Sequence, residues 1–384
     1  MARQMTPKEL NKLGDDAFYG RSQERNIEVA FTYYKQAADM NNPVGIYNLG
    51  KYYYQKANYK KAYEMFLKCS DLNYAPALVK LYQMHLNGVG IRRSKKKAFK
   101  YLKMAADQHD QTVYHTLANM YAEGIGTRKN LTKAQEYFEL SATKNQVEGM
   151  HGYGLFLLEQ KGKDGEHETA FFWLDKAAHQ HHEPSIKHLI ELYQIPHDFL
   201  KKKSQLYLDE MIFHYQELLA KTNDLEALRL VAKAYAEGRD YLSVNHQKAF
   251  TYYQALHGLD DIYGYLGLGK AYLYGLGTKK DYEKAIDYLE IASSRNVYEA
   301  KNLLGEIYRH GYGVAADYQK AKSHYMGAAE AGNTNALINL SLLHYRHQIK
   351  NASNIQAMTY IKRATEEDIP SAFFWLGLYY ELGV

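Results

Sequence analysis

Apolar and small residues recur along this chain with the spacing of amphipathic helices. In one segment Val113, Leu117 and Tyr121 lie four residues apart, and the segment ends at Gly124. This spacing predicts a helix that buries one face, and a terminal glycine suits the left-handed conformation that stops a helix. After a loop, residues 132–142 repeat the apolar pattern. The pattern therefore predicts two helices joined by a short loop.

The two-helix pattern returns almost from one end of the 384-residue chain to the other. A small or apolar residue marks the first helix of each copy. Six of the nine steps between successive marks are 36 residues, and the other three are 32, 42 and 37. A second column of small or apolar residues lies 15 residues before the next mark. Such a period is typical of a solenoid, in which repeats stack on their neighbours. The marks are Gly45, Ala77, Val113, Gly149, Ser185, Ala227, Gly264, Ala300, Ala336 and Ala372.

The loops and helix starts carry a second recurring signature. Gly-x-Gly follows the first helix at residues 88–90, 124–126, 275–277 and 311–313. Lys-Ala opens the second helix, with its lysine at Lys97, Lys133, Lys248, Lys284 and Lys320, and Leu-Gly recurs within first helices. In this combination the chain resembles the Sel-one-like repeat (SLR) family, which is related to tetratricopeptide repeats. The resemblance implies an all-α, right-handed superhelical solenoid of helix-turn-helix repeats, with about ten repeats and a C-terminal half repeat.

We expect residues 1–384 to form a single α-solenoid domain with one irregular repeat at 185–226. There the segment from Ile195 to Ser204 replaces the glycine loop, and Pro196 is expected to end a helix. This insertion is expected to bend the superhelix or to present a loop.

The C-terminal segment from Ala372 to Val384 reads as a first helix without its second helix. It is too apolar for a solenoid end, because terminal repeats normally turn a polar face to water. The sequence therefore predicts either that the protein continues beyond Val384, or that this helix docks on a partner or on a second copy of the chain.

Composition adds one expectation about compartment. The single cysteine, Cys69, occupies a column where other repeats have alanine, which predicts an inert buried thiol. One cysteine excludes a disulfide framework and indicates the cytoplasm or another reducing compartment. The family resemblance adds delivery into a host cell, if the source is a bacterial pathogen. No apolar run reaches the length of about 18 residues that a transmembrane helix needs.

The possible enzyme motifs of this sequence lie at positions that do not support a catalytic site. Residues 264–271 match most of a phosphate-binding loop, but Ala271 stands where a Ser or Thr is required, and the segment falls inside a predicted first helix. The 17 histidines are densest at His179, His181, His182 and His188, and a zinc site would need further ligands converging on them. We therefore expect no cofactor, no bound metal and no catalytic residues.

Two basic runs, Arg92–Lys97 and Lys201–Lys203, fall in predicted inter-helix loops. Solvated surface charge is the simplest interpretation of both, and contact with an acidic protein or with anionic lipid headgroups is the alternative. Nucleic acid is not favoured as a partner, because the net charge of the chain is only +5.

Candidate binding residues follow from the family geometry. In tetratricopeptide-type arrays the first helices line the concave face, and two positions of each first helix point into it. Within this groove Lys187, Arg229, Lys233 and Lys270 are expected to form a basic stripe suited to an acidic peptide or a chain carboxylate. A polar lining without a preferred partner is the alternative. The candidate groove residues are Tyr47, Lys51, Gln83, His115, Asn119, His151, Lys187, Arg229, Lys233, Lys270, Asn302 and Glu306, with Val79, Leu155, Glu191 and Leu266 at the remaining positions.

The sequence thus favours a non-catalytic scaffold or adaptor that binds a partner protein, or an extended acidic segment of one, in the concave groove. The resemblance implies this role, because family members act as scaffolds in signalling, degradation complexes, enzyme activation and bacterial contact with host cells. Two alternatives stay open: a histidine-dependent hydrolase, with or without zinc, and a structural rod within a larger protein.

Overall fold

The computed structural model describes residues 5–21, 24–160, 164–195, 200–201 and 203–383. Within these residues the chain forms 21 α-helices and no β-strand. They follow one another as ten helix pairs and a final single helix, which confirms the predicted all-α repeat solenoid. The predicted effect of Pro196 lies outside the described residues, and the handedness of the superhelix stays a prediction.

The chain divides into two compact units, residues 1–185 and residues 186–384. Odd-numbered helices are the first helices of the repeats and even-numbered helices are the second. In the first unit the helices are α1 (Pro7–Tyr19), α2 (Ile27–Asp39), α3 (Pro43–Gln55), α4 (Tyr59–Asp71), α5 (Ala75–Asn87), α6 (Lys95–Asp107), α7 (Tyr114–Glu123), α8 (Leu131–Thr143), α9 (Val147–Glu159) and α10 (Asp164–Ala178). Helix α11 (Glu183–Gln194) includes the boundary between the units. The second unit continues with α12 (Gln205–Ala220), α13 (Leu225–Glu237), α14 (His246–Gly258), α15 (Ile262–Tyr274), α16 (Tyr282–Ser294), α17 (Tyr298–His310), α18 (Tyr318–Glu330), α19 (Thr334–Tyr345), α20 (Asn354–Thr365) and α21 (Pro370–Glu381).

The small-residue columns are the places where helices touch. Gly305 of α17 lies against α18, and a Cβ at this position would come within 2.5 Å of the Tyr325 ring. Cys69 of α4 is fully buried and directs its thiol toward the Pro43 carbonyl at 3.3 Å. Burial raises the pKa of the Cys69 thiol to about 12. Glycine, alanine and this cysteine therefore serve the same purpose, which is close helix packing.

The lysine of most Lys-Ala motifs lies over an aromatic ring, as Lys133, Lys248, Lys284 and Lys320 do. In the eighth repeat Tyr272 of α15 stacks on Tyr288 of α16, with ring centroids 5.8 Å apart, and the Lys284 ammonium lies 5.3 Å from the Tyr272 centroid. This arrangement joins cation–π attraction to aromatic stacking between the two helices of one repeat. The same trio recurs as Tyr121, Tyr137 and Lys133 and as Tyr235, Tyr252 and Lys248.

The two glycines of each Gly-x-Gly loop have different structural roles. The first, such as Gly124 with φ +73°, takes the left-handed conformation that ends the first helix. The second presses against the start of the second helix in the preceding repeat. A Cβ on Gly126 would collide with the Lys95 carbonyl, and one on Gly313 would lie 2.5 Å from the Tyr282 Cβ. We call this packing the loop-glycine contact.

Candidate functional site: two pockets on the first helices

Predicted groove residues of α7 and α9 converge on one pocket of the first unit. His115 and Asn119 of α7 and His151 and Leu155 of α9 all line it, and its volume is about 610 Å³. We call it the histidine pocket. Its remaining walls are Ala122, Glu123, Lys129, Leu131, Phe138, Gly152, Phe156, Glu159 and Gln160.

His115 is held in one neutral form in the histidine pocket. The Asn119 side-chain amide lies 3.1 Å from the His115 Nε2 atom, and because an amide nitrogen only donates, this ring nitrogen accepts. The proton of the neutral ring therefore lies on Nδ1, which is buried and has no partner within the described residues. Burial lowers the pKa of His115, which keeps the ring uncharged near neutral pH.

A second polar group borders the same pocket. The His151 Nδ1 atom lies 2.9 Å from the Ser185 hydroxyl, which also lies 2.8 Å from the His182 Nδ1 atom. The His151 and His182 rings contact each other, with centroids 4.9 Å apart. Burial lowers the pKa of His182 as well. His151 and His182 are therefore linked through the Ser185 hydroxyl, while Glu123, Lys129 and Glu159 supply the charged walls of the histidine pocket.

Predicted groove residues of α13 and α15 converge on a comparable pocket in the second unit. Arg229 and Lys233 of α13 and Leu266 and Lys270 of α15 line a volume of about 420 Å³. We call it the ion-pair pocket. Its other walls are Glu226, Leu230, Glu237, Tyr253, Tyr263, Gly267 and Glu299.

The cations of the predicted basic stripe each face a carboxylate. Arg229 donates to Asp261 through both Nε and a terminal nitrogen, and Asp261 is itself buried. The Lys270 ammonium lies 2.5 Å from Glu299, and the Lys187 ammonium lies 3.4 Å from Asp224. Lys233 is paired most loosely, at 4.0 Å from Glu237, with both side chains exposed. The stripe therefore has little net charge, and Arg229 has a structural role that the sequence did not predict.

A glycine opens each pocket at the same position of its repeat, directly before the column that carries Leu117. A Cβ on Gly152 would lie 2.6 Å from His115 Cε1 and 2.9 Å from Phe138 Cε1. A Cβ on Gly267 would collide with the base of the Tyr253 ring. Burial raises the pKa of Tyr253 to about 12. Any larger residue would displace the rings that line these pockets.

Sequence reasoning missed these two glycines, although a signal was present. At the same register the other first helices from α3 to α19 carry Asn48, Lys80, Thr116, His188, Leu230, Leu303 and Asn339. Only the repeats of Gly152 and Gly267 leave the position without a side chain. A comparison of this column across the repeats would have located both pockets.

The other predicted groove residues do not enter the two pockets. The Lys51 ammonium lies 5.6 Å from the Tyr47 ring centroid and donates to the Tyr19 hydroxyl at 3.2 Å. Gln83 accepts from Lys80 at 3.2 Å, and Val79 packs against the core. Glu191 lies beside Lys187 in a smaller pocket of about 300 Å³.

Asn302 is buried rather than displayed in a groove. Its amide donates to Glu306 at 3.3 Å, and its oxygen accepts from Asn339 at 3.0 Å. Glu306 also accepts from the Tyr274 hydroxyl at 3.0 Å and keeps part of its surface exposed.

The last helix buries one side only. Ala372 and Tyr379 of α21 are fully buried, and the Ser341 hydroxyl donates to the Tyr379 hydroxyl at 2.9 Å. Phe374 remains 65% exposed and Tyr380 61% exposed.

Two features of the described residues bear on other functions. They contain no group of three or more His, Cys, Asp or Glu side chains arranged to hold a metal ion. Nor does any helix in the described part of the chain have the length and apolar character needed to cross a membrane.

Comparison with known proteins identifies the repeats. The Sel1 repeat model matches residues 10–42, 43–74, 75–110, 115–146, 147–182, 225–255, 262–297 and 299–333. Proteins with Sel1 repeats generally mediate protein–protein interactions and are typically non-catalytic scaffolds. No curated protein matches the chain.

Solved structures with the same type of fold are distant in sequence. The protective antigen c5321 of uropathogenic Escherichia coli, which displays an SLR fold, is 19% identical over 98% of this chain and 88% of its own, with a TM-score of 0.46. A Sel1 repeat protein from Oxalobacter formigenes is 18% identical over 90% of this chain and 89% of its own, with a TM-score of 0.34.

Proposed function

The chain belongs to the Sel1 repeat family, and from that membership we propose that it is a non-catalytic adaptor whose first helices bind extended segments of a partner protein. The observation that carries the proposal is the convergence of predicted groove residues on the histidine pocket and the ion-pair pocket. Pockets of a few hundred Å³ with apolar walls and a few polar groups suit the side chains of a bound segment.

The chemistry of the ion-pair pocket refines the expected partner. A purely acidic segment would have to displace Asp261 and Glu299 from the cations that they already neutralise. Lys233, held only loosely by Glu237, is the cation most open to a new carboxylate. Between the charges, Tyr263 and Leu230 expose apolar surface. We therefore propose a segment that inserts an apolar side chain and carries both signs of charge.

A pair of leucines on one helix tests this proposal. Leu230 of α13 is 44% exposed and lines the ion-pair pocket, whereas Leu225 of the same helix is 41% exposed and lies outside it. Leu230→Glu should abolish binding of linear peptides selected from a random library against the intact chain. Leu225→Glu should leave that binding within about twofold, because exposed substitutions away from the site change little.

Calorimetric titration of the selected peptides against the three proteins decides the matter. Equal affinity for wild type and Leu230→Glu would overturn the proposal for this pocket. Equal loss in both variants would show that added negative charge, and not the pocket, controls binding. Both variants should keep the wild-type melting temperature, because both leucines are exposed.

The exposed side of α21 supports a further expectation, that the chain associates with itself. Replacing Phe374 by Ser should lower self-association in sedimentation velocity, since an uncovered aromatic face is an association site. A strictly monomeric wild-type protein would contradict this expectation.

A further inference from the structure

Positive charge is distributed unevenly along the chain. Residues 1–185 contain 26 Lys and Arg against 20 Asp and Glu, whereas residues 186–384 contain 22 against 23. Within the first unit, residues 72–106 carry eight Lys and Arg and no Asp or Glu. An excess of this kind, without interruption, creates a positive field at the surface.

Together with neighbouring lysines and arginines, five of these cations surround the starts of three successive second helices, α4, α6 and α8. The loop before α6 packs on α4, since a Cβ on Gly90 would collide with Tyr59, the first residue of α4. The loop before α8 packs on α6 through the loop-glycine contact of Gly126. These starts therefore form one continuous surface, which we call the basic edge. Its cations are Lys60, Lys61, Arg92, Arg93, Lys95, Lys96, Lys97, Arg128, Lys129 and Lys133.

The basic edge lacks the neutralising partners found in the ion-pair pocket. All ten side chains are exposed, and no ion pair joins any of them to a carboxylate in the part of the chain that the structure describes. Lys61 and Lys133 lie over the Tyr53 and Tyr121 rings, and Arg93 donates to the Leu86 carbonyl at 2.8 Å. These contacts hold side chains in place without cancelling their charge.

Helix electrostatics make this clustering unfavourable for the folded chain on its own. The first turns of α4 and α6 carry Lys60, Lys61 and Lys95–Lys97 and no acidic residue. Cations repel the positive end of the helix dipole, and acidic side chains are favoured there instead. An anion bound to the edge would relieve both the dipole repulsion and the mutual repulsion of the lysines.

The loop before α16 in the second unit corresponds to the loop before α6, but it carries acidic residues beside its lysines. Before α16 the chain carries Lys279 and Lys280 at the register of Arg92 and Arg93, but Asp281 and Glu283 follow. Asp281 caps the helix and pairs with Lys284 at 3.1 Å. The same architecture can therefore place acids at these helix starts, and the basic edge does not.

We propose that the basic edge binds an extended segment, rich in Asp and Glu, of a partner protein. The three helix starts follow one another from repeat to repeat, so their charges suit a chain with successive carboxylates. Seven of the ten cations are lysines, which act as separate point charges and do not form the planar fork that favours phosphate.

Other polyanions fit this surface less well. Single-stranded nucleic acid is normally held by several exposed aromatic rings. At this edge Tyr121 is buried against Lys133 and Tyr137, and the exposed Tyr54 packs edge-on against Tyr59. A lipid surface is usually bound by basic groups together with several inserted apolar side chains. At this edge Ile91 packs against the core, and the exposed Leu131 lines the histidine pocket.

The test compares two double charge reversals in the intact chain. Lys95→Glu with Lys96→Glu alters the basic edge, and Lys279→Glu with Lys280→Glu makes the same change in charge at the matching loop of the second unit. Binding of a fluorescent oligo-glutamate peptide is measured by anisotropy. The first pair should weaken binding by about tenfold or more, and the second pair by less than about twofold. Acids in the first turn of α6 favour the helix, so loss of binding would not come from unfolding.

Salt and competing polyanions complete the test. Affinity for the peptide should fall steeply as ionic strength rises, because exposed charges are screened. Equal weakening by both double reversals, or by neither, would overturn the proposal. Tighter binding of a single-stranded oligonucleotide, or of phosphatidylserine vesicles, lost on the Lys95 and Lys96 reversal, would also overturn it by assigning the edge to nucleic acid or membrane.

Discussion

The histidine pocket and the ion-pair pocket occupy the same place in their repeats and differ in almost everything else. Both lie between consecutive first helices, and both are opened by a glycine, Gly152 in one and Gly267 in the other. One is lined by two imidazoles, those of His151 and of His115, and burial lowers the pKa of His115. The other presents guanidinium and ammonium groups paired with carboxylates.

The difference shows how a repeat array separates shape from chemistry. A missing side chain at one register creates the space, while two positions on each neighbouring first helix decide what lines it. The glycine therefore determines where a pocket opens, whereas other positions determine the chemistry of its walls. The two can vary independently along the array.

The largest effects should come from filling the space. Gly267→Ala should lower the free energy of unfolding by roughly 1–3 kcal/mol, because its Cβ meets the base of the Tyr253 ring. Gly152→Ala should lower the free energy of unfolding by less, because the ring edges of His115 and Phe138 have more freedom to move. Urea denaturation measures both. The control Gly327→Ala, with only an ordinary contact at 3.6 Å, should stabilise the chain by about 0.5–1 kcal/mol. Equal stabilisation at all three positions would contradict the packing argument.

Removing one cation at a time from the ion-pair pocket should show that Arg229 contributes more to stability than Lys233. Arg229→Ala leaves the buried Asp261 carboxylate without its main partner and should cost about 1–3 kcal/mol. Lys233→Ala removes only an exposed pair and should change stability by less than about 0.5 kcal/mol. Thermal denaturation of the two variants side by side checks this ranking. Similar losses in both would mean that Asp261 does not depend on Arg229.

Lowering the pH should reduce the contribution of the histidine pocket to stability and leave that of the ion-pair pocket unchanged. Burial lowers the pKa of His115 and His182, so the unfolded chain takes up protons near pH ~6.5 while the folded chain resists. The free energy of unfolding should therefore fall as pH drops through about 6.5 and be fully restored above it. His115→Gln, whose side-chain oxygen can still accept from Asn119, should flatten this dependence. The buried His85 and His344, whose pKa values are also lowered by burial, should retain part of it. Arg229→Ala should leave the slope unchanged, and an unaltered slope in His115→Gln would contradict the assignment.

The smallest effect is expected at Cys69. The second unit carries alanine at this column, as at Ala292 and Ala328, so Cys69→Ala should shift stability by less than about 0.5 kcal/mol. Burial raises the pKa of the thiol to about 12, so the native protein should resist alkylation at mildly alkaline pH and react only on unfolding. Rapid labelling of the native protein would show that the column is open to solvent.

The architecture was largely predictable because its causes are local and repeated. The columns that contain Gly305 and Ala321 indicate helix contacts directly. Because the same spacing recurs about ten times, an irregular copy does not hide the pattern that the other copies share. The convergence of His115 with His151, and of Arg229 with Lys270, also follows from register alone.

Charge pairing could not be predicted in the same way. The carboxylate that binds Arg229 is Asp261, 32 residues further on, and Lys270 reaches forward to Glu299. The partner of a long cationic side chain depends on its rotamer and on the other carboxylates within reach. The period of the sequence specifies neither the rotamer nor these carboxylates. The cations of the predicted basic stripe are therefore paired with carboxylates, whereas those of the basic edge have no such partner among the described residues.

The loop-glycine contacts have a consequence for how the chain opens. They join the third and fourth repeats to their predecessors through Gly90 and Gly126, and the eighth and ninth through Gly277 and Gly313. The second repeat has no such glycine in its short loop around Ala57. Amide hydrogens from α4 to α8, and from α14 to α18, are therefore expected to exchange with solvent as two cooperative blocks, while the helices outside them exchange earlier.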